Sequence, residues 1–300
     1  MSIRSRISAA RMLITFSLGF ILALIPAIAS AQIGFNDTSS RTPVGCEPAG
    51  ATDADIVLVT LGQSISANEG ETGYTPVGNV VNFNINDGRC YAAADPLLGA
   101  SAKPDGKHIG SIWGRLCDKL LATGRWTRCL VAPIAQGDTS MAQWAPGGAM
   151  NPLIERAITG LRKYRIDPTF LLYGQGESDA SVHADPIAYR QSLNAMADGI
   201  HSYTKAPILI AVETICYGVG TGPDLQSIDD ATRVAKWIGQ EAIQRAQRSV
   251  IDPSRGILPG PNLDFINDQV GRWDGCHLST YGLEAAAEQW KYYVLQAIGH

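Results

Sequence analysis

The sequence predicts an α/β fold, a parallel sheet covered on both faces by helices, and three observations carry that prediction. Short apolar runs rich in Val, Ile and Leu alternate along the chain with longer amphipathic stretches, the pattern of successive βαβ units. The residues that follow these runs are conspicuously polar, as expected where a parallel sheet offers the carboxyl ends of its strands to a ligand. No repeat, low-complexity tract or linker divides the chain after its first residues, so residues 32–300 form one sizeable domain with a buried core.

The first 31 residues stand outside that domain. Arg4, Arg6 and Arg11 make a positive head, Met12 to Ile25 is an almost unbroken apolar run, and Ala29-Ser30-Ala31 offers a small-residue cleavage site before Gln32. This is the pattern of a secretory signal peptide. The run is shorter than the ~20 residues that span a bilayer, and no later segment is long and apolar enough, so no membrane association is expected after cleavage. Removal takes three arginines and no acids, leaving 21 basic against 28 acidic residues and a formal charge of −7. That balance, with no basic patch, argues against nucleic acid or anionic membranes as partners. Residues 32–54, rich in Ser, Thr, Pro and Gly, read as an irregular lead-in to a domain over 55–300.

Export places six cysteines, at positions 46, 90, 117, 129, 216 and 276, in an oxidising compartment, secreted or periplasmic. Six cysteines allow fifteen pairings, and spacing does not choose among them. None of the spacings is Cys-x-x-Cys, so structural disulfides are expected and zinc is not.

In chain order, Asp55–Leu61 reads as a buried strand, Gly110–Thr123 as a helix, and Arg128–Ala135 as a second strand. Pro152–Tyr164 (helix), Thr169–Tyr173 (strand), Pro186–Tyr203 (helix), Pro207–Val212 (strand) and Ser227–Gln247 (helix) continue the alternation. Asn262–Ile266 is the place for a weak fifth strand, and Ser279–Ile298 reads as the last helix.

Ser64 follows the first strand in Gly62-Gln63-Ser64. A serine hydroxyl is a weak nucleophile until an oriented base takes its proton. Of five histidines, His108 and His183 lie in polar loop sequence, His201 late in a helix and His300 at the terminus; all four read as solvent-facing. His277 differs, because in Asp274-Gly275-Cys276-His277 a carboxylate three positions back can bond one imidazole nitrogen and leave the other to accept a proton. The competing reading of this turn is a helix start capped by Ser279. In Gly174-Gln175-Gly176-Glu177-Ser178, Gln175 offers an amide donor at a strand end, although glycines there also suit any turn.

Taken together, Gly62-Gln63-Ser64, the Gly137-Asp138-Thr139-Ser140…Trp144 segment, Gln175-Gly176-Glu177-Ser178 and Asp274-Gly275-Cys276-His277 resemble, in order, the motifs of SGNH-type hydrolases. The most similar branch is the sialate O-acetylesterase-like and family 6 carbohydrate esterases. The resemblance runs from about Asp55 to Tyr281. It implies a flavodoxin-like three-layer α/β/α sandwich and deacetylation of sugar esters through an acyl-enzyme, with an acetylated carbohydrate as partner and no cofactor or metal. Ser64 corresponds to the nucleophile, His277 to the base and Asp274 to its orienting acid. The backbone N–H of Ser64, an N–H at Gly137 and the side chain of Gln175 correspond to the oxyanion hole. Two positions depart from the pattern: Ile65 stands where the family has Asn, and Asp138 where it has Gly.

Glu177 reads as supporting, by bonding its own loop and holding Gln175 or by orienting His277. Trp144 reads either as a sugar-stacking wall or as an ordinary packed tryptophan. Gly176-Glu177-Ser178-Asp179-Ala180 approximates the Gly-x-Ser-x-Gly elbow of α/β-hydrolases and makes Ser178 the rival nucleophile. Beside the esterase stand two other functions, an O-acyltransferase using the same triad and a catalytically inactive carbohydrate-binding protein. The sequence carries no clear oligomerisation signal and does not name the sugar.

Overall fold

Alternation along the first long strand builds the core. In Asp55–Gly62 (β2), Val57, Val59 and Leu61 enter one hydrophobic cluster, whereas Ile56 and Leu58 enter another on the opposite face. A strand buried on both faces needs helices above and below it. In the computed structural model, which describes residues 34–48, 54–103, 105–216, 230–267 and 270–299 (backbone alone for 230–237), the first cluster is covered by Met141–Trp144 (α2), Asn151–Arg162 (α3), Glu177–Ser181 (α4), Pro186–Tyr203 (α5) and Asp230–Ser249 (α6). The second is covered by Trp113–Leu121 (α1) and Thr280–Ala297 (α7). The signal segment and the start of the helix expected from Ser227 lie outside the described residues.

Eight strands form one sheet: β2, Pro43–Val44 (β1), Val80–Asn84 (β3), Arg89–Ala92 (β4), Arg128–Pro133 (β5), Phe170–Gly174 (β6), Ile208–Val212 (β7) and Ile257–Asn262 (β8). Their order is β1-β4-β3-β5-β2-β6-β7-β8. Neighbours from β3 to β8 are parallel, while β4 and β1 add an antiparallel edge. With β1, β4 and β3 set aside, the chain visits the remaining positions in the flavodoxin-like order, its first strand lying between its second and third.

Three differences from the sequence reading have physical causes. The β3–β4 hairpin was not foreseen because Asn82 and Asn84 interrupt its apolar pattern. Both are buried, Asn82 bonding the backbone of Leu98 (Leu98 N to Oδ1 2.7 Å) and Asn84 the side chain of Asn36 at 2.6 Å. The last strand lies before Asn262–Ile266, over Ile-Leu-Pro-Gly-Pro-Asn, and its prolines disguised it; an edge strand tolerates residues that cannot donate to a ladder. Leu263–Phe265 is instead a 3-10 turn. The lead-in is not wholly irregular, since β1 lies within it.

All six cysteines pair, as Cys46–Cys90, Cys117–Cys129 and Cys216–Cys276. The last ties the segment after β7 to the turn that precedes α7. No helix of the described residues is long and apolar enough to cross a membrane.

The centre of the sheet depends on missing side chains. Gly62 has φ +131°, and a Cβ there would lie 1.7 Å from the Gly174 carbonyl oxygen, which accepts the Gln63 N–H at 3.0 Å. Replacing Gly62 by alanine is therefore expected to cost more than about 4 kcal/mol, the range reached only by severe steric or burial defects. Gly88 has φ +71° but open space around its Cβ position. Gly88→Ala is expected to cost only about 1–2 kcal/mol of backbone strain. Urea unfolding of the two variants measures the contrast.

Candidate active site

β2 lies between β5 and β6, the point where chain order reverses across the sheet and where open α/β sheets bind their ligands. The chain leaves β2 through Gln63 into a 3-10 turn, Ser64–Ser66. Ser64 is buried, and its hydroxyl has no hydrogen-bond partner among the described residues. Gln63 fixes the turn: its Oε1 accepts from Gln175 Nε2 at 3.0 Å and from the Ser178 N–H at 3.2 Å. The loops after β2 and β6 are thus pinned to each other.

Asp274 and His277 sit on the turn before α7, whose first residue follows the cap Ser279 (Oγ accepting the Gly282 N–H at 3.0 Å). Asp274 Oδ1 accepts the N–H groups of Cys276 and His277, and Oδ2 meets His277 Nδ1 at 2.7 Å. The turn is therefore both a helix start capped by Ser279 and the place where Asp274 bonds one nitrogen of His277. Arg272, fully buried, anchors the turn by donating to the carbonyls of Leu263, Ile266, Ile215 and Cys276.

The other nitrogen of His277 faces a residue that the sequence reading passed over. Glu69 Oε2 lies 3.3 Å from His277 Nε2, and Glu69 itself is buried. Burial opposes a charge on His277, but the bonds to Asp274 and Glu69 outweigh it and push the imidazole up to about 9. Asp274 is held well below the usual carboxylate range: burial raises it, and the His277 bond more than offsets that. Glu69 is likewise lowered, burial being outweighed by His277 and Lys103.

His108 is not solvent-facing. Its Nδ1 meets Asp105 Oδ2 at 2.5 Å, its Nε2 lies 3.6 Å from Asp274 Oδ2, and its ring packs on Trp273 with centroids 4.8 Å apart. One ligand atom each of His108, Asp274 and His277 lie within 4.8 Å of one another, a spacing a metal ion could use. Here Asp274 Oδ2 and His277 Nδ1 are committed to each other.

Several expected roles need correction. Gln175 is fully buried, and its Nε2 is engaged by Gln63 Oε1, the Thr139 carbonyl and Asp179 Oδ2 at 3.0, 3.0 and 2.6 Å. Two hydrogens facing three protein acceptors leave none to aim at a reacting oxygen, so Gln175 braces Gln63 instead of donating to an oxyanion. The Gly137 N–H donates to Ser101 Oγ at 2.7 Å. Glu177 makes no ion pair with His277. It is buried against Glu213, both pushed up by burial, Glu213 well above the carboxylate range because the charge of Glu177 adds to that effect. Trp144 is a fully buried core residue bonded to Thr139 Oγ1 at 2.9 Å, not a wall for a sugar. Asp138 adopts the left-handed backbone (φ 59°) and its residue is exposed, so its charge is solvated. Ile65 is buried in the core cluster that also holds Trp113 and Leu278. Ser178 lies on the short helix Glu177–Ser181, and the ionic partners of His277 are Glu69 and Asp274.

Over residues 60–253 the chain matches the family model described as carbohydrate esterase, sialic acid-specific acetylesterase. The chain belongs to this family. It is a carboxylic ester hydrolase, and the matched stretch includes Ser64 and Gln175–Glu177 while ending before Asp274 and His277. Among solved structures, a protein of Arabidopsis thaliana is similar, with TM-score 0.58 and 16% identity over 81% of this chain and 98% of that one. NanS is similar with TM-score 0.54 and 15% identity over 85% of this chain and 98% of that one. At these identities the likeness is one of fold, that of the SGNH hydrolases. No curated protein matches the chain.

The charge pattern at His277 fixes a sign. A raised imidazole contributes stability that is complete below its ordinary value of ~6.5 and is lost as pH rises through the folded value, about 9. The depressed Asp274 contributes stability above ~3.9 that is lost as pH falls. Asp274→Asn is therefore expected to destabilise the esterase most between about pH 5 and 6.5, with the difference fading as pH rises through about 9. Urea unfolding of wild type and variant at a series of pH values checks this.

Proposed function

We propose that this esterase is exported and removes O-acetyl groups from a sugar or polysaccharide through an acyl-enzyme on Ser64. The observation that carries the reading is the Asp274–His277 pair, whose second nitrogen, Nε2, faces the segment that begins at Ser64 and meets Glu69 there. That segment reaches His277 through Glu69 and continues to a backbone bond from Glu71 N–H to the Leu278 carbonyl at 3.0 Å. The family supports an acetylated carbohydrate as substrate. Three disulfides and the signal-like N-terminus support an oxidising, secreted or periplasmic location.

In this reading neutral His277 takes the Ser64 hydroxyl proton at Nε2 while Oγ forms a bond to the acetyl carbonyl carbon. Asp274 keeps Nδ1 protonated and stabilises the imidazolium that forms. The tetrahedral oxyanion is held by backbone donors at Ser64 and Gly137. The bond from carbon to the sugar oxygen then breaks, and His277 returns the proton to that oxygen. A water molecule, deprotonated by His277, attacks the acetyl-serine, and acetate leaves with Ser64 restored. Gln175 is a positioning residue here: it holds Gln63, and Gln63 holds the turn that carries Ser64.

Acetate release from a chromogenic acetyl ester by residues 32–300 tests the assignment. Ser64→Ala is expected to lower kcat on the order of 10⁶-fold, as loss of a triad nucleophile does, with Ser178→Ala near wild type. Loss of activity in Ser178→Ala alone, with both variants folded, would assign the nucleophile to the other serine.

A further inference from the structure

The serine mechanism needs two groups free at once, His277 Nε2 and the Gly137 N–H, and the structure engages both through one chain of contacts. Gly137 N–H donates to Ser101 Oγ at 2.7 Å, and Ser101 Oγ donates to Glu69 Oε1 at 3.2 Å. The other carboxylate oxygen of Glu69 meets His277 Nε2 at 3.3 Å. The arrangement is built into the fold. Asn68 N–H donates to the Ser101 carbonyl at 3.0 Å, Gly70 pairs with Gly110 at 2.9 Å, and Asn68 Oδ1 accepts the Leu97 N–H at 2.6 Å. Glu69 is thereby held from both sides. A Cβ on residue 137 would lie 2.2 Å from Glu69 Oε1, so the glycine makes room for the carboxylate.

We propose that Glu69 is a further positioning residue of this active site, a latch that acts through Ser101 and His277. In the resting enzyme it occupies the base directly and the Gly137 donor by way of Ser101; the entering acetyl ester displaces it and frees both together. The proposal rests on the serine reading above. On displacement the Ser64 hydroxyl takes the place of Glu69 at Nε2, and the ester carbonyl oxygen takes the place of Ser101 Oγ at the Gly137 N–H. The Nε2 proton of the resting imidazolium passes to solvent as the carboxylate withdraws. Lys103, whose ammonium already lies 3.3 Å from Glu69 Oε2, remains a partner for the displaced charge. The charged and titratable groups around His277 are Glu69 with its Lys103, Asp274, and His108 with its Asp105, the His108 ring standing edge-on at 5.3 Å. Of the two carboxylates that bond the imidazole, Asp274 is the one the reaction needs, because it holds Nδ1; Glu69 competes for the nitrogen that must take the serine proton.

The test is phosphonylation of Ser64 by a serine-reactive fluorophosphonate, in wild type, Glu69→Gln, Ser101→Ala and Ser64→Ala, together with the pH profile of kcat/KM. Glutamine keeps the size of Glu69 and an acceptor for Ser101 but removes the charge facing His277. A carboxylate this near moves a partner's titration by one or more pH units. Glu69→Gln is therefore expected to label about tenfold faster than wild type near pH 6 and to move the acid limb of kcat/KM down by about one pH unit, the two enzymes converging at high pH. Ser101→Ala, which frees only Gly137, is expected to raise the labelling rate evenly across pH without moving that limb. Labelling of folded Glu69→Gln at or below the wild-type rate, with an unmoved acid limb, would overturn the latch while leaving the serine mechanism standing. If Glu69→Gln does not fold, a Ser101→Ala rate at or below wild type overturns it equally. Labelling that persists in Ser64→Ala, or no labelling of wild type, would remove the serine mechanism and the latch with it.

Discussion

The contact between Gly62 and Gly174 is the constraint on which the rest of the site depends. Neither position tolerates a Cβ: at φ +131° one on Gly62 would run into the Gly174 carbonyl oxygen, and one on Gly174 would meet Glu213 Oε2 at 2.4 Å and Ser66 Oγ at 2.5 Å. The consequence is positional. Gln63 leaves the strand already bonded to β6, its side chain is captured by the loop after β6, and Ser64 emerges at the switch point of the sheet in a short turn. A side chain at Gly62 would force the Gly174 carbonyl away from the Gln63 N–H and disturb the start of the turn that carries Ser64.

The second determinant is the distribution of negative charge below and beside that turn. Beside it, Asp274 and Glu69 grip opposite nitrogens of one imidazole, and their combined attraction exceeds the cost of burying it charged. Below it, Glu177 and Glu213 are buried together, and burial favours keeping a proton on the pair over two adjacent charges. The buried guanidinium of Arg272 moderates both carboxyls while its hydrogen bonds hold the His277 turn. Charge on one side therefore orients the base, and neutralisation on the other lets polar groups sit within the core.

Much of the architecture was legible because it follows from periodicity. The central strands, five long helices and the residues at the strand ends could be placed from apolar runs and their polar stops. The Asp274–His277 hydrogen bond was also legible, since a three-residue spacing on a tight turn brings those groups together. What was hidden required contacts distant in sequence. Glu69 lies in an unremarkable polar stretch and becomes part of the site only when the turn before α7 folds against it. His108, in a loop of Asp, Gly and Lys, is enclosed by Trp273 and Asp274 from far along the chain. Gln175 looked like a donor aimed outward because its strand-end position fits one, but the acceptors that consume its amide come from the loops after β2 and β5 and from Asp179 on its own short helix. The β3–β4 edge was masked by asparagines whose partners are other backbone segments. One clue was available for Glu69: an acid five residues after a candidate nucleophile invites the question of which base it faces.

The central claim is that His277 rests between two carboxylates as an imidazolium. Nuclear magnetic resonance of the ring nitrogens in selectively labelled mature protein reads this directly. The structure predicts both nitrogens protonated at neutral pH and a titration near 9, with Nδ1 staying protonated in Glu69→Gln while the titration moves to lower pH. An ordinary titration near ~6.5 in wild type, unchanged by Glu69→Gln, would contradict the account.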